Sequence, residues 1–354
     1  MVVGGRYQDG WNNTFNQVDN SNNVPSVISR TNAETQLERY SIYFYETLKF
    51  WEQLELTGGV SYDHLHYPLN IDTSPITTEE GDIDQVSPKA GAIWSPMDDT
   101  HLRFAYTRSL GGVFYDTSVR LEPSQVAGFN QAYRSIIPES VEGLVPGTRF
   151  TTYGLGLDQA FKSHTYLTVV GEILDSEATR TVGVITNRFF IPVANSPGET
   201  RQTLDFTERS LVVSLSQLLG QRWSVGARYQ LSEADLTGRF IDVPKPASNS
   251  VNQDQKAWLN QVALYVNYYH PCGFFSQAQA LWYGQDNHGY TPHLEGDDFW
   301  QFNFYVGYRF LNRAAEVRLG ILNITDQDYR LNPLNLYYDL PRQRTLSVSC
   351  KFYF

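Results

Sequence analysis

The stretch "TLSVSCKFYF", residues 345–354, indicates the fold class because its alternate residues differ in polarity. One set of alternate positions is wholly apolar and consists of Leu346, Val348, Cys350, Phe352 and Phe354. The other set is almost wholly polar and consists of Thr345, Ser347, Ser349, Lys351 and Tyr353. Successive side chains of a β-strand point to opposite faces, so the stretch predicts a strand with one apolar face. That face packs either over a soluble core or against lipid.

The composition of the 354-residue chain excludes several classes of protein. Acidic residues outnumber basic residues by 38 to 27, which gives a formal net charge of −11. This balance argues against nucleic-acid binding, since phosphate contacts need clustered Lys and Arg. The sequence has no run of about 18 apolar residues, so no transmembrane helix is predicted. Aromatic residues are nevertheless abundant, with 23 Tyr, 20 Phe and 7 Trp.

Alternating segments recur along the whole chain, and helical periodicity is nearly absent. In residues 300–310, for example, apolar side chains alternate with Gln301, Asn303, Gly307 and Arg309. We count about fourteen such strands, near 1–8, 35–49, 54–66, 85–95, 101–110, 149–162, 164–181, 202–217, 221–237, 256–270, 274–286, 298–310, 314–323 and 343–354. The chain is therefore predicted to be all-β.

The connections between these strands alternate in length. Short turns lie near 51–53, 95–99, 162–164, 219–221, 270–273 and 311–313. Long loops lie near 9–33, 67–84, 111–148, 182–201, 238–255, 287–297 and 324–342. Outer-membrane barrels have short periplasmic turns and long extracellular loops, whereas a soluble sandwich has no reason to keep its long loops at one end.

The pattern predicts a transmembrane antiparallel β-barrel of about 14 strands in a Gram-negative outer membrane, with lipid around it. Each strand has two sets of alternate positions, which we call its two parities. Charged residues lie on the polar parity, which would face the lumen: Glu55, Arg103, Glu172, Arg228, Glu316, Arg318 and Lys351. Tryptophans lie near strand ends, where an interfacial girdle would place them: Trp94, Trp223, Trp258, Trp282 and Trp300. The two cysteines, Cys272 and Cys350, are predicted to be unpaired because their settings differ.

Two stretches resemble TonB-dependent outer-membrane receptors. Residues 87–110, "SPKAGAIWSPMDDTHLRFAYTRSL", are similar to a strand–turn–strand hairpin of that family, with matches that include Ser87 and Pro88. Residues 319–354 resemble the family's C-terminal end. The matched positions there include Asn323, Asp326, Tyr329, Arg342 and the terminal aromatic Phe354.

The resemblance implies uptake of a scarce ligand such as a metal chelate. The sequence carries no nucleophile elbow, Gly-rich phosphate loop or spaced Cys/His zinc set, so no enzymatic activity and no cofactor are expected. The resemblance also implies that Phe354 is read by the barrel-assembly machinery. A TonB-type energy-transducing protein would be a partner only if a plug domain were present, and the sequence contains no recognisable plug. The N-terminal stretch "MVVGGRYQDGWNN" lacks the features of a signal peptide. Such transporters have about 22 strands. We therefore expect residues 1–354 to be one β-barrel domain, the C-terminal portion of a longer receptor.

Two other functions stay open at this point. A passive or export pore, porin-like or for exopolysaccharide, would close at about fourteen strands. A structural or adhesive barrel would only display its loops. The coding sequence upstream of Met1 would discriminate among the three, since a plug there indicates the receptor and helical repeats indicate an export pore.

Candidate ligand-binding residues occur in two places. The tract "DNHGYTPHLEGDD" gathers His288, His293, Glu295, Asp297 and Asp298, whose oxygen and imidazole groups suit a cation or a polar ligand. Their spacing matches no defined metal site, and a solvated loop is the alternative. In "DHLHY", His64 and His66 share one strand face and would line the lumen. They would either contact a ligand or only form hydrogen bonds within the barrel lining.

Three further segments carry weaker signals. The acidic loop 77–84 either repels anions at the mouth or is only solvated. Within the 111–148 loop, the spacing after Ser124 predicts a short helix that ends at Pro138. That helix would fold into the pore or pack inside its mouth. Ser61 and Ser163 lie near histidines in the sequence, but no catalytic motif accompanies them.

Overall fold

Fourteen strands follow one another in chain order through a single antiparallel sheet in the computed structural model of the chain. The structure describes residues 1–20, 26–112, 122–131, 145–187, 195–243, 251–310 and 314–352. Two further strands form a small separate hairpin. The prediction of an antiparallel barrel wall of about fourteen strands is confirmed.

The strands have the following bounds. The large sheet contains β1 (Val2–Asn20), β2 (Ser26–Trp51), β3 (Leu54–Pro68), β4 (Glu80–Met97), β5 (Thr100–Leu110), β8 (Arg149–Phe161), β9 (Thr165–Asn187), β10 (Asn195–Leu219), β11 (Trp223–Phe240), β12 (Gln253–Tyr269), β13 (Phe274–His288), β14 (Asp297–Phe310), β15 (Ala315–Leu322) and β16 (Thr345–Phe352). The small hairpin consists of β6 (Gln125–Val126) and β7 (Phe129–Asn130).

Several strands extend well beyond the predicted bounds. The predicted loop 9–33 is mostly strand, since β1 continues to Asn20 and β2 begins at Ser26. The predicted loop 182–201 is likewise shortened by β9 and β10. The extension of β1 is rich in Asn, Thr and Gln on both faces, so its apolar alternation fades while the ladder of backbone hydrogen bonds continues, and the ladder between β9 and β10 likewise continues beyond the predicted bounds.

The polarity of the two wall faces inverts along the strands. Towards the end with short turns, β10 exposes Leu211 and Leu215 on its outward face. Towards the end with long loops, the same outward parity carries the exposed Asp205, while Leu204 and Phe206 are buried on the inward face. Lipid meets only a band about 25 Å tall, and beyond it the outward face meets water. The prediction of a polar inward face is therefore wrong for the long-loop half.

The inward polar face predicted for the other half is present. Arg103, Arg228 and Arg318 lie on the inward parity, opposite the exposed apolar set that includes Phe104 and Leu319. Arg103 is paired with Asp158 at 2.7 Å between Nε and Oδ2. Arg318 lies over the ring of Tyr305, 3.7 Å from its centroid. Arg103 and Arg318 thus have partners on the inner wall and stay out of lipid.

The sheet has two edges. Its hydrogen-bonded order begins at β1 and stops at β16, and no pairing between these two strands occurs among the described residues. The apolar residues of β16 are strongly exposed, Leu346 and Val348 among them. An unpaired strand edge in hydrocarbon costs several kcal/mol for each unsatisfied backbone group. Both edges therefore require a partner in the membrane.

Two smaller predictions also concern the described residues. Cys272 and Cys350 are both free and exposed, as predicted. Across the described ranges, no helix has the length and apolar character needed to cross a membrane.

Candidate functional site

Loops fold back into the space that the wall encloses. Segments 122–131, 145–148 and 323–344 pack on the inward face, with Val126, Val145 and Leu334 buried there. Leu334 contacts a cluster that contains the inward residues Leu204 and Phe206. This packing explains the apolar inward face, because those side chains meet loop residues instead of water.

A fourth segment, 69–79, crosses the mouth. The Ser74 hydroxyl accepts a hydrogen bond from Asn16 Nδ2 of β1 at 2.6 Å. Thr73 Oγ1 accepts one from the Gly183 backbone N–H of β9 at 3.1 Å. Since β1 and β9 are far apart in the strand order, this loop spans the enclosed space at its long-loop end.

The hairpin β6–β7 lies where the sequence predicts a helix. Residues 125–130 form two paired strands with a turn at Ala127 and Gly128, whose φ angles are 48° and 82°. Two successive positive φ angles are typical of a tight hairpin turn. The helix prediction is wrong for the part up to Gln131, and its continuation to Pro138 lies outside the described residues. The hairpin packs on the inward face of the wall, whereas the sequence leaves folding into the pore and packing inside its mouth equally open.

Two wall glycines receive the apolar side chains of this hairpin. A Cβ at Gly91 would lie 2.6 Å from Val126 Cγ1, and a Cβ at Gly154 would collide with the Phe129 ring. The Arg103 guanidinium lies over the Phe129 ring, 5.2 Å from its centroid. The space left by each glycine, which we call a glycine socket, accommodates one apolar side chain of the hairpin. Two such sockets and one cation–π contact thus hold the hairpin on the wall.

We expect Gly154→Leu to expel the hairpin and leave the wall intact. Overpacking costs about 1–3 kcal/mol, which shifts the equilibrium from the docked towards the undocked hairpin by about fivefold or more. A Val126→Cys reporter, with Cys272 and Cys350 replaced by Ser, should then react correspondingly faster with a thiol reagent. Gly58→Leu is the matched control, because Gly58 has open space around it. Equal labelling rates in both variants would contradict the socket assignment.

The family-motif residues of the β15–β16 connection lie together and hold it inside the wall. Asn323 is fully buried with a φ of 51°, and its Nδ2 donates to Gln327 O at 2.8 Å and to Pro341 O at 2.9 Å. Its backbone N–H donates to Asn303 Oδ1 of β14 at 2.9 Å. Asp326 accepts a hydrogen bond from the Arg344 N–H at 2.6 Å. These contacts join both ends of the connection to the wall.

Tyr329 anchors the middle of the same connection. Its ring stacks on Phe299 with centroids 5.1 Å apart, and Arg342 lies over it at 5.2 Å. Its hydroxyl donates to Leu340 O at 3.0 Å. Sequence reasoning singled out Tyr329 and Arg342 through the resemblance, and only the structure reveals that they contact each other.

The remaining family-motif residues occupy different settings. Ser87 is fully buried on the inward face of β4 and accepts a hydrogen bond from Gln85 Nε2 at 3.0 Å. Pro88 lies on the exposed outward face. Phe354 lies outside the described residues.

His64 and His66 face away from the lumen. On β3 the buried parity is that of Ser61, Asp63 and Leu65, so the two histidines lie on the outward face. Their expected position in the lumen is therefore wrong. They meet carboxylates of β4, which begins inside the predicted acidic loop 77–84.

The contacts of the two histidines are ion pairs beyond the lipid band. His64 Nδ1 lies 3.0 Å from Asp84 Oδ1, and His66 Nδ1 lies 2.7 Å from Asp82 Oδ1. The His66 Nε2 atom lies 3.0 Å from Glu80 Oε2. Much of the acidic tract thus binds histidines on the outer surface of the wall, and Asp82 and Asp84 face away from the mouth.

These contacts make the outer rim sensitive to pH. The hydrogen bond to Asp82 raises the pKa of His66 above its usual value, although partial burial opposes the shift. A raised histidine pKa contributes stability that is present below about pH 6.5 and lost as pH rises through the folded-state pKa. The hydrogen bond from the Gln36 backbone N–H is the main contact that lowers the pKa of Glu80, and the hydrogen bond with His66 lowers it further. The Glu80 carboxylate therefore stays charged into mildly acidic solution.

We expect His66→Gln to destabilise the protein more at pH 5.5 than at pH 8.5, by about 1 kcal/mol or less, the range for surface ion pairs. Thermal unfolding of both proteins at the two pH values measures the difference. His293→Gln, at an exposed loop histidine, is the control and should change neither value. A His66→Gln effect of the same size at both pH values would contradict the assignment.

The five candidate ligand-binding residues of the tract 286–298 do not lie together, because two of them face outward and three do not. His288 and Asp298 lie on the exposed parity, where Asp298 Oδ1 accepts a hydrogen bond from Trp282 Nε1 at 2.8 Å. Asp297 Oδ2 instead accepts one from the Arg330 N–H of the β15–β16 connection at 2.6 Å. No group of three or more metal-ligating side chains occurs in the described part of the chain.

A cavity of about 660 Å³ lies at the long-loop end, between residues 293–297 and the β15–β16 connection. Three of the candidates line it: His293, Glu295 and Asp297. The β15–β16 connection contributes Asp328 and Arg330 from the opposite side. Sequence reasoning missed the second set, because nothing in the sequence indicates that the connection folds back onto residues 293–297.

The serines that lie near histidines in the sequence do not form a catalytic pair. Ser61 is buried on the inward face of β3, whereas His64 is on the outward face. Ser163 is in an exposed turn, 2.8 Å from the Thr165 hydroxyl.

A family model described as TonB dependent receptor-like, beta-barrel, matches residues 1–324. The chain belongs to this family. As a TonB-dependent receptor-like β-barrel it is an outer-membrane protein, and the family's barrels serve receptor and transport functions. No curated protein sequence matches the chain.

Solved structures have the following similarities to the chain. The closed form of the ferric-catecholate import receptor Fiu from E. coli K12 is similar with a TM-score of 0.51 and 17% identity, covering 99% of this chain and 51% of Fiu. The chain thus spans about half the length of Fiu. OmpT, an outer-membrane protein of Vibrio cholerae, has a TM-score of 0.35 and 11% identity, with 99% and 97% of the two chains covered. A Rh. blastica porin variant has a TM-score of 0.28 and 9% identity, with 99% and 100% covered.

Proposed function

We propose that the chain forms part of the wall of a receptor that takes up a scarce, large ligand, such as a metal chelate, across the outer membrane. The family match over residues 1–324 carries this proposal. The import of ferric catecholates by the structurally similar Fiu suggests the ligand class to test first. A TonB-type protein would drive uptake through a plug, and the role of Phe354 in recognition by the assembly machinery belongs to the same proposal.

The packing of the lumen supports energised uptake. The hairpin, the β15–β16 connection and the mouth-spanning loop occupy the enclosed space, so a large solute needs them to move. Moving buried side chains such as Phe129 and Leu334 out of their contacts costs free energy. An energy-transducing partner would supply that work, whereas passive diffusion would not.

The cavity of about 660 Å³ is the proposed first contact for the ligand. It lies at the long-loop end, and its lining combines the acidic residues Glu295, Asp297 and Asp328 with the basic residue Arg330. His293, Glu295 and Asp297 are the predicted candidates that belong to it. We do not assign ligand contacts to His64, His66, His288 or Asp298, which face outward.

Uptake of radioactive ferric iron complexed with dihydroxybenzoate tests the proposal. Cells that express the whole gene should accumulate the label, and cells that lack either the gene or the TonB-type protein should not. Glu177→Gln, an exposed outward position, is a control that should not alter uptake. Equal accumulation with and without the gene would overturn this ligand class, and accumulation without the TonB-type protein would overturn energised uptake.

A passive or export pore is the second candidate, and the hairpin inside the enclosed space favours it, since such a loop can narrow a diffusion channel. A pore should give a steady conductance in planar bilayers that rises with Gly154→Leu. A receptor should give none until its loops are displaced. No enzymatic activity is proposed for either function.

A further inference from the structure

We propose that the inward face of β8–β10 forms a binding site for an organic cation that bears a primary ammonium or guanidinium group. The site is a cavity of about 310 Å³ between the wall, the hairpin and the β15–β16 connection. Its lining includes Thr152, Glu172, Glu208 and Ser210 from the wall. The hairpin contributes Gln131, and the connection contributes Leu336.

The wall residues of this cavity form two adjacent rows. Thr152, Leu174 and Glu208 are register partners across β8, β9 and β10. Gly154, Glu172 and Ser210 form the next row. The two carboxylates are therefore on neighbouring strands, two residues apart in register, where side chains of this length reach the same point.

Neither carboxylate has a partner within the described part of the chain: Glu172 and Glu208 accept no hydrogen bond and form no ion pair there. Arg103, on the neighbouring strand β5, is already paired with Asp158. Arg228 donates to Gln230 at 2.9 Å. The one nearby counter-charge, Arg103, acts on Glu172 but is paired with Asp158, so two partly buried acids that it does not neutralise favour the binding of a cation.

The Thr152 hydroxyl is an independent observation that points to a ligand. Thr152 is only 7% exposed, and its Oγ1 has no hydrogen-bond partner. A buried polar atom without a partner costs about 1–3 kcal/mol, and a ligand that donates a hydrogen bond to it would remove that cost. An N–H donor placed between the carboxylates would be within reach of this hydroxyl, because Thr152 and Glu208 lie in one row.

The chemistry of the lining selects the type of cation. The described residues contain no metal-ligating group of three or more side chains, so a directly coordinated metal ion is disfavoured. Carboxylate, hydroxyl and amide groups instead suit N–H donors. The volume of about 310 Å³ is at the lower end for small-molecule sites, which fits an amine.

This site goes beyond the proposed uptake function. Binding of an amine to the wall requires neither a metal chelate nor an energy-transducing partner. The iron-accumulation assay can therefore fail while amine binding holds, and the reverse is equally possible.

The test is calorimetric titration of the protein, purified from outer membranes in detergent, with putrescine as the probe. Tetramethylammonium serves as a cation without N–H groups and should bind about tenfold more weakly or worse. Glu172→Gln and Glu208→Gln should each weaken putrescine binding by about tenfold or more. Glu177→Gln, on the same strand but exposed on the outward face, should leave binding unchanged.

Thr152→Val separates a ligand contact from a structural role. The change removes only the unpartnered hydroxyl, so the variant should fold at least as stably as the native protein. Putrescine binding should weaken by about fivefold. If a glutamine variant fails to fold, the result with Thr152→Val decides the proposal. An absence of putrescine binding, or unchanged binding in the folded variants, would overturn it.

Discussion

Replacement of Phe304 by Arg is expected to prevent assembly of the barrel wall. Phe304 is exposed on the outward face of β14, six residues from the short-turn end at Phe310, and pairs with the apolar positions Ala278 and Ile321. An arginine that faces lipid near the middle of the bilayer costs about 2–4 kcal/mol. A folded barrel resists unfolding in detergent until it is heated, so its gel migration with and without heating measures the loss.

Adjacent residues on β11 provide the matched comparison. Val225 shares the outward parity and Ser224 the inward parity, so Val225→Arg should impair assembly and Ser224→Arg should be tolerated. Val225 lies nearer the strand end, where the cost falls, so its effect should be smaller than that of Phe304→Arg. Equal loss of the heat-modifiable form at both parities would contradict the assignment of the outward face to lipid.

Cysteines placed on β1 and β16 are expected not to form a disulfide within one molecule. We propose that these two strands border a larger wall, because both edges need partners in the membrane and no pairing between them occurs among the described residues. The test pair is Val3→Cys with Val348→Cys, after replacement of Cys272 and Cys350 by Ser. Both test positions are exposed on the outward face.

Two control pairs calibrate this crosslinking. Leu319 and Val348 are register partners on β15 and β16, and Val3 and Phe44 are register partners on β1 and β2. Cysteines at either control pair should form a disulfide efficiently, since their Cα atoms are within bonding range. If the test pair crosslinks as efficiently as the controls, the barrel closes at fourteen strands and the larger wall is rejected.

The wall itself could be predicted from sequence. Lipid accepts only apolar side chains, and strand geometry places every second residue on the same face, so the pattern of residues 300–310 is visible without coordinates. The alternation of short turns and long loops then orients the wall. The predicted ends of β1 and β9 were too early and the predicted starts of β2 and β10 were too late, because no lipid constrains the residues of these extensions.

The candidate site was predicted less well, and the two histidines illustrate the reason. The "DHLHY" motif establishes that His64 and His66 share a face, but alternation alone does not say which face is inward beyond the lipid band. Within that band the polar face is the inward one, and beyond it at the long-loop end the relation reverses, as Asp205 and Leu204 demonstrate. The cavity residues Thr152 and Glu208 carried no sequence signal at all.

The sequence by itself determined the strand count, the antiparallel order, the outward apolar band and the resemblance to the receptor family, because each follows from local periodicity or a contiguous motif. Only the tertiary structure decided what fills the enclosed space. Gln301 has the polar parity of a wet lumen, yet it is fully buried and donates to Gln327 O and Pro341 O of the β15–β16 connection. Contacts of this kind join residues far apart in the chain, and no local pattern encodes them.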